Sequence, residues 1–263
     1  MRLIRYQYGG ATSYGIVEGD QVEGVSGNPF DGHRATGNRL PLSAVKIGVP
    51  FVPRTFYAAG INYEEHVREA AALLGNEPNL PTRADVGYRA NNALIAHGEP
   101  IIIPADATER VQYEGELVVV IGKQAKHLSE DAAFSCILGY TIGNDVSERV
   151  IQKAEMAQGC MLICKGFDTF KPMGPWIETE ANPEDMQTTV RLNGEVVSQF
   201  ATNSMIFGIA HYIAEMTKYL TLYPGDMIWM GTDGATQNMK AGDTVDVEIT
   251  GIGTLSNPLI GEE

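Results

Sequence analysis

The sequence predicts an α+β protein dominated by antiparallel or mixed sheet, with short helices. Three observations carry that prediction. Short β-branched and aliphatic runs recur along the chain, each closed by a Gly, Pro, Asn or Asp turn signal. Asn193-Gly194, between Thr189–Leu192 and Glu195–Val197, is the strongest hairpin signal present. Helical periodicity is confined to short segments. The chain has 263 residues and a 44% hydrophobic fraction, enough for one large domain or a main domain with a small appendage.

The first 52 residues read as a small β-rich domain. Leu3–Tyr8 leads to a Gly9-Gly10 turn, and Ser13–Val17 and Gln21–Val25 flank the turn Glu18-Gly19-Asp20. Residues 27–41 read as polar loop. Pro50 and Pro53 mark a boundary near residue 52, and residues 53–263 form the larger domain. Thr55–Ala59 is a short strand. A helix runs from Asn62, a candidate N-cap, to Leu74, with Gly75 as its stop. The polar stretch 76–89 reads as a mobile loop or lid, and Ile101–Ile103 as a buried strand.

The run 113–122, ending at Gly122, is an acidic strand, and Ile137–Ile142 a second strand that delivers Asp145. Helices are expected over 129–138 behind Ser129, over 148–157 behind Ser147, and over 206–220 behind Asn203 and Ser204. The tail carries two turn–strand units, beginning at Pro224-Gly225-Asp226 and Ala241-Gly242-Asp243.

Charge and cysteine content bound the function. Nineteen basic against 33 acidic residues give a net charge of −14, which argues against nucleic acid or an anionic membrane as partner. Cys136, Cys160 and Cys164 lack CxxC spacing and read as reduced thiols, and the N-terminus has no apolar leader. The expected setting is cytoplasmic. No GxGxxG, P-loop or GxSxG motif is present.

Glu114 and Glu116 project from one face of the acidic strand, because side chains alternate along a strand. Two adjacent carboxylates repel, so a cation belongs between them. With Asp145 they form an all-oxygen set suited to Mg²⁺, Mn²⁺ or Ca²⁺ rather than zinc. The bland alternative is a pair of exposed glutamates neutralised by nearby Lys or Arg. His66 and Glu69, three apart on a helix, can share a face, so that the carboxylate orients the imidazole as a general base. A solvated pair is the alternative. Lys165 follows the apolar stretch Met161–Cys164, which draws its ammonium inward toward carboxylates. Arg149 and Gln152 can hold a carboxylate or water, or merely decorate their helix. The amides of Gly231–Gly234 and the Thr232 hydroxyl can bind a carboxylate, or form a plain turn. His97 and His127 have weak cases, and His211 reads as a satisfied core histidine.

In this order and spacing, several motifs closely resemble the fumarylacetoacetate hydrolase family. They are Asn62-Tyr63-x-x-His66-x-x-Glu69, Tyr113-Glu114-x-Glu116-Leu117, Asn144-Asp145-Val146-Ser147-x-Arg149, Lys165-Gly166-Phe167-Asp168-Thr169-Phe170, Gly174-Pro175-Trp176, Asn193-Gly194-Glu195, Pro224-Gly225-Asp226 and Gly231-Thr232. The match covers about residues 55 to 260. The resemblance implies a mixed β-sandwich or β-roll catalytic domain behind a small N-terminal domain, usually as a homodimer. It implies one Mg²⁺ or Mn²⁺ per chain at Glu114, Glu116 and Asp145. Lys165 and Gln152 then lie near metal and substrate, Thr232 touches the substrate carboxylate, and His66 and Glu69 activate water on a lid; Tyr63 and Arg149 join the substrate contacts. The chain departs from the family pattern at Glu148, Val150, Asp233 and Arg89.

The reaction expected from this set is metal-dependent hydrolysis of a C–C bond in an acylpyruvate-like β-diketo acid, releasing pyruvate or a related 2-oxo acid. The alternative keeps the enolate but not the water: decarboxylation of an oxaloacetate-like acid, or keto–enol isomerisation of a 2-oxo dicarboxylic acid such as oxaloacetate or a 2-hydroxydienoate. A non-catalytic Ca²⁺-binding module is the third expectation.

Overall fold

The strand Gly115–Ile121 is buried at every position, and its two faces serve two different cores. The structure, a computed structural model, describes residues 1–107, 109–235 and 237–262, without the side chains of residues 70, 73 and 74. Leu117, Val119 and Ile121 pack on one side with Val190, Val247 and Leu255. Val118 and Val120 pack on the other with Phe56, Met173 and Trp229. Burying one such aliphatic side chain contributes about 1.5–3 kcal/mol, so the strand anchors both cores.

This strand is central to a 12-stranded sheet. On one side it pairs antiparallel with Ile137–Asn144, which pairs with Lys171–Glu178, and that strand in turn with Arg2–Tyr8. Ala11–Glu18, Gln21–Asn28 and Gly32–Pro41 extend this side to the edge. On the other side come Met227–Trp229, Phe56–Ala59 and Val86–Tyr88. The N-terminal strands therefore continue the main sheet, through Arg2 opposite Glu178 and Leu3 opposite Ile177.

A second, five-stranded sheet runs Glu195–Ala201, Gln187–Leu192, Thr244–Ile249, Gly253–Gly261, Ile101–Ile103. It contributes Val190 and Val247 to the first core, and Gly115 sits beneath them. A Cβ on Gly115 would lie 2.9 Å from both valines, so only glycine lets the sheets close between the two glutamates. The helices are few and short: α1 Glu64–Leu74, α2 Glu130–Ala133, α3 Arg149–Met156, α4 Ile163–Gly166 and α5 Ile209–Tyr219. The α+β expectation holds, with antiparallel and parallel pairings in the same sheets.

Several local expectations are corrected. Residues 27–41 are not loop: Gly32–Pro41 is a strand, almost wholly exposed, so it has no apolar alternation to read. The stretch 76–89 ends in the strand Val86–Tyr88, where Tyr57 stands opposite Tyr88. Asn62 is not the cap of α1; Tyr63 occupies that position, without a side-chain cap bond. Ser147 lies in a short strand opposite Gln112, and Glu148 caps α3 by accepting from Ile151 N. Helix α2 ends at Ala133 in a 3₁₀ turn over Phe134–Cys136. Helix α5 begins after Gly208 rather than after Asn203 or Ser204. His211 is not a core residue; it is partly exposed and its Nδ1 lies 2.9 Å from Glu130. Gly75 does end α1, with a left-handed φ of 69°.

Candidate active site

Glu114 stands just before the central strand and Glu116 within it, so the strand's alternation puts both carboxylates on one face. Asp145 follows the last residue of the neighbouring strand Ile137–Asn144, and its amide bonds to the Glu114 carbonyl at 2.9 Å. The side chain of Asn144 locks this register, its Oδ1 accepting from Glu114 N at 2.9 Å. The result is three buried carboxylates, each offering an oxygen within 4.8 Å of the others. All three are less than 4% exposed.

Four cations surround this cluster, unequally. Lys165 Nζ lies 2.6 Å from Glu114 Oε2 and 2.7 Å from Asp145 Oδ2. Arg149 reaches Glu114 Oε1 at 2.6 Å. Arg89 and Lys171 both pair with Asp145, at 3.1 and 2.8 Å. Among the described residues, Glu116 has no ion pair; Gly231 N donates to its Oε2 at 2.9 Å.

The acidities follow from this division. Burial pushes the Glu116 carboxyl up to about 8, and the charges of Asp145 and Glu114 add to the rise. Burial also opposes ionisation of Glu114, but Lys165 and Arg149 outweigh it and hold that carboxyl at about 2. Asp145 is likewise held well below the carboxylate range: burial opposes, and Arg89, Lys165 and Lys171 prevail. Lys171, fully buried, is lowered to about 8 mainly by desolvation.

Hard, buried and convergent, the three oxygens suit a divalent cation such as Mg²⁺ or Mn²⁺, and Glu116, which has no ion pair among the described residues, is the carboxyl whose ionisation such a cation would favour most.

His66 and Glu69 lie on α1, at the edge of this cluster. His66 Nδ1 is 3.9 Å from Glu69 Oε2 and has no hydrogen-bond partner among the described residues. The turn 231–234 joins the two halves of the site: its first residue bonds to Glu116, and its last packs on the dyad. A Cβ on Gly234 would lie 2.1 Å from Glu69 Oε2 and 3.3 Å from His66 Nδ1. Between them, Thr232 is 3% exposed and its hydroxyl has no partner among the described residues. Its Oγ1 is an open polar atom in a buried place.

Other expected contacts are already engaged. The Gly231 amide is bonded to Glu116. Tyr63, 1% exposed, donates its hydroxyl to the Thr202 carbonyl at 2.7 Å and stacks edge-on against Phe200, so the structure makes it a strut behind the site. Asn62 is a second strut: Nδ2 donates to the carbonyls of Met230 and Phe207, tying α1 to the 231–234 turn. Gln152 Oε1 accepts from Arg149, whose Nε donates to Gln112 Oε1. Lys171 is absent from the sequence-level candidates, and its signal was a lysine between Phe170 and Pro172 in an otherwise apolar run.

Comparison with known proteins places these features in context. The family described as fumarylacetoacetate (FAA) hydrolase C-terminal matches residues 55–260, and Rv2993c-like, N-terminal matches residues 1–50. A crystal structure from Mycobacterium smegmatis, described as a 5-carboxymethyl-2-hydroxymuconate delta-isomerase, is similar with a TM-score of 0.89 and 34% identity, covering 100% of both chains. The oxaloacetate tautomerase YisK of Bacillus subtilis is 33% identical over 83% of this chain and 74% of its own. A 2,4-didehydro-3-deoxy-L-rhamnonate hydrolase from a Sphingomonas strain is 36% identical over 75% of this chain and 70% of its own.

Proposed function

The chain belongs to the fumarylacetoacetate hydrolase family, and from that premise we propose that it hydrolyses a C–C bond in an acylpyruvate-like β-diketo acid, releasing pyruvate or a related 2-oxo acid. The observation that carries this reading is the pairing of a buried three-carboxylate site with an imidazole–carboxylate pair on α1, joined by the 231–234 turn. Neither half alone distinguishes hydrolysis from simple enolate chemistry.

Glu114, Glu116 and Asp145 hold one divalent cation, Mg²⁺ or Mn²⁺. When bound, it supplies Lewis-acid polarisation of the substrate's 2-oxo group and charge stabilisation of the enolate. The Thr232 hydroxyl, buried and without a partner among the described residues, donates to the substrate carboxylate. His66, oriented by Glu69, takes a proton from water as that water adds to the distal carbonyl. The C–C bond then breaks, the distal acyl group leaves as a carboxylic acid, the bond's electron pair passes to the pyruvate enolate, and the enolate carbon takes the proton that His66 carried, giving pyruvate. Lys165, held by Glu114 and Asp145, places its ammonium beside the developing negative charge. Helix α1 and the polar segment that follows it limit the access of bulk water. Among the described residues no helix is long and apolar enough to cross a bilayer. A homodimer in the cytoplasm is the expected form.

A second reading has its own support, since relatives at 34% and 33% identity carry the names isomerase and tautomerase. There the site forms an enolate by releasing CO₂ from the carbon beside the 2-oxo group, or by taking a proton from that carbon, and returns a proton to it without adding water. One assay separates the two. Pyruvate release from a panel of acylpyruvates, and ketonisation of enol-oxaloacetate, are followed with Mg²⁺, with EDTA and in His66→Ala. Cleavage of an acylpyruvate that needs metal and is lost in His66→Ala supports hydrolysis. Metal-dependent oxaloacetate turnover that survives the substitution, with no acylpyruvate cleaved, moves the assignment to the second reading.

A further inference from the structure

Beside the carboxylate site lies a cavity of about 420 Å³, lined by Gly87, Tyr88, Arg89, Met156 and the segment Gly159–Leu162. It adjoins the reaction centre at two points. Arg89 reaches from its wall to Asp145, and Met161 Sδ lies 3.7 Å from Gln152 Nε2, whose own oxygen accepts from the Arg149 that pairs with Glu114. A substrate with its 2-oxo acid end at the three carboxylates has this space within reach of its other end.

The lining decides what that end can be. Tyr88, Met156, Met161 and Leu162 present an aromatic ring, two thioethers and an isobutyl group, and the two glycines leave room between them. Met side chains fill around apolar groups of irregular shape. Arg89 is the cavity's only charged residue among those that line it, and its guanidinium already donates to Asp145 from Nε and Nη2 and to the Tyr88 carbonyl from Nη1. A second carboxylate placed here would have to share that one guanidinium with Asp145, so its desolvation is only partly offset. An alkyl or aryl group meets mostly apolar surface, from Tyr88, Met156, Met161 and Leu162.

We propose that this cavity is the subsite for the group distal to the 2-oxo acid unit, and that it selects an apolar alkyl or aryl group over a second carboxylate. The proposal rests on the 2-oxo acid reading above, and it sets this chain's substrates apart from the tricarboxylate and the dicarboxylate named for two of its relatives. Selection is by burial, so it grows with chain length until the cavity is full.

The test uses binding and turnover separately. With Mg²⁺ present, calorimetry compares 2-oxooctanoate with 2-oxoglutarate, neither of which carries the β-diketo group; kcat/KM is then measured for a series of straight-chain acylpyruvates and for succinylpyruvate. The expected result is tighter binding of 2-oxooctanoate by at least tenfold, and a rise in kcat/KM of about fourfold per added methylene over the first few. Leu162→Lys, at a position 56% exposed and so tolerant of substitution, places an ammonium at the cavity and is expected to narrow or reverse the preference. Equal or tighter binding of 2-oxoglutarate by the wild-type protein overturns the proposal, as does a preference that Leu162→Lys and Met156→Lys both leave unchanged. Selective binding of 2-oxooctanoate without cleavage of any acylpyruvate upholds the cavity and removes the hydrolase reading instead.

Discussion

Gly234→Ala tests the join between the two halves of the site. Gly234 has a φ of 119°, where an L-residue is strained by about 1–3 kcal/mol. The new methyl would lie 2.1 Å from Glu69 Oε2, while ordinary contact begins at 3.4 Å. The Glu69 carboxylate therefore retreats by roughly 1.3 Å, and misplacement on that scale costs a positioned catalytic group about 100-fold in rate. Glu69 is 36% exposed and terminates a flexible side chain, so its retreat is thermodynamically cheap. The expected signature is thus a modest fall in melting temperature, set by backbone strain, and a large fall in kcat with little change in KM. Steady-state kinetics on acetylpyruvate and a thermal melt measure both. If kcat stays within about threefold of wild type while the melting temperature drops, Glu69 does not need its observed position, and the dyad as described is wrong.

Three further outcomes are expected. Gly115→Ala forces a methyl to within 2.9 Å of Val190 Cγ2 and Val247 Cγ1, and overpacking of this kind destabilises by about 1–3 kcal/mol; urea melts should show a lower midpoint, and an unchanged midpoint would mean the two sheets are loosely packed there. Mg²⁺ or Mn²⁺ at 100 times its dissociation constant stabilises by about 2.7 kcal/mol; Glu116→Gln should weaken that shift in melting temperature, and a wild-type melt indifferent to both ions would count against a metal site at the triad. Burial raises the Glu155 carboxyl, but Cys164, the amides of Cys164 and Ile163, and Cys160 together hold it at about 2, below its ordinary 4.5. A depressed carboxylate contributes stability fully above its unfolded value and loses it as pH falls toward the folded one. Wild type should therefore outlast Glu155→Gln at pH 6, with the gap closing between about pH 4.5 and pH 2; a gap constant with pH would remove the ionic contribution.

The legible parts of the site share one property: their geometry is local. Glu114 and Glu116 share a face because a strand alternates, whatever it pairs with, and His66 and Glu69 meet because they are three apart on α1. The hairpin at Asn193-Gly194 was equally local; Asn193 and Gly194 adopt φ of 54° and 84° there. Features set by distant partners were not legible. Asn62 carries every local mark of an N-cap, yet its amide is drawn to Met230 and Phe207, more than 140 residues away, and Tyr63 is drawn likewise to Thr202. Gly32–Pro41 folds as a strand with both faces exposed, so pairing with Gln21–Asn28 forms it rather than any pattern of its own.

The electrostatic asymmetry of the cluster arises from the same division between local and distant. The strand fixes the glutamates two residues apart, but sheet register decides which cations arrive. Asp145, at the end of Ile137–Asn144, meets Lys171 from the strand paired with it and Arg89 from the segment after Val86–Tyr88. Glu114, next to the short pairing of Val111–Gln112 with Ser147–Glu148, meets Arg149 at the start of α3. Lys165, on α4, bridges the two. Glu116 lies one pleat further in, opposite Gly143, which has no side chain to offer and is packed against Trp229. Among the described residues its one hydrogen-bond donor is the backbone of Gly231, in the same turn that holds the open Thr232 hydroxyl. A cation drawn to Glu116 would thus bind beside that hydroxyl, and a 2-oxo acid bound there would be held by the turn at its carboxylate end while the Arg89 side of the site remained open to whatever follows the carbonyl.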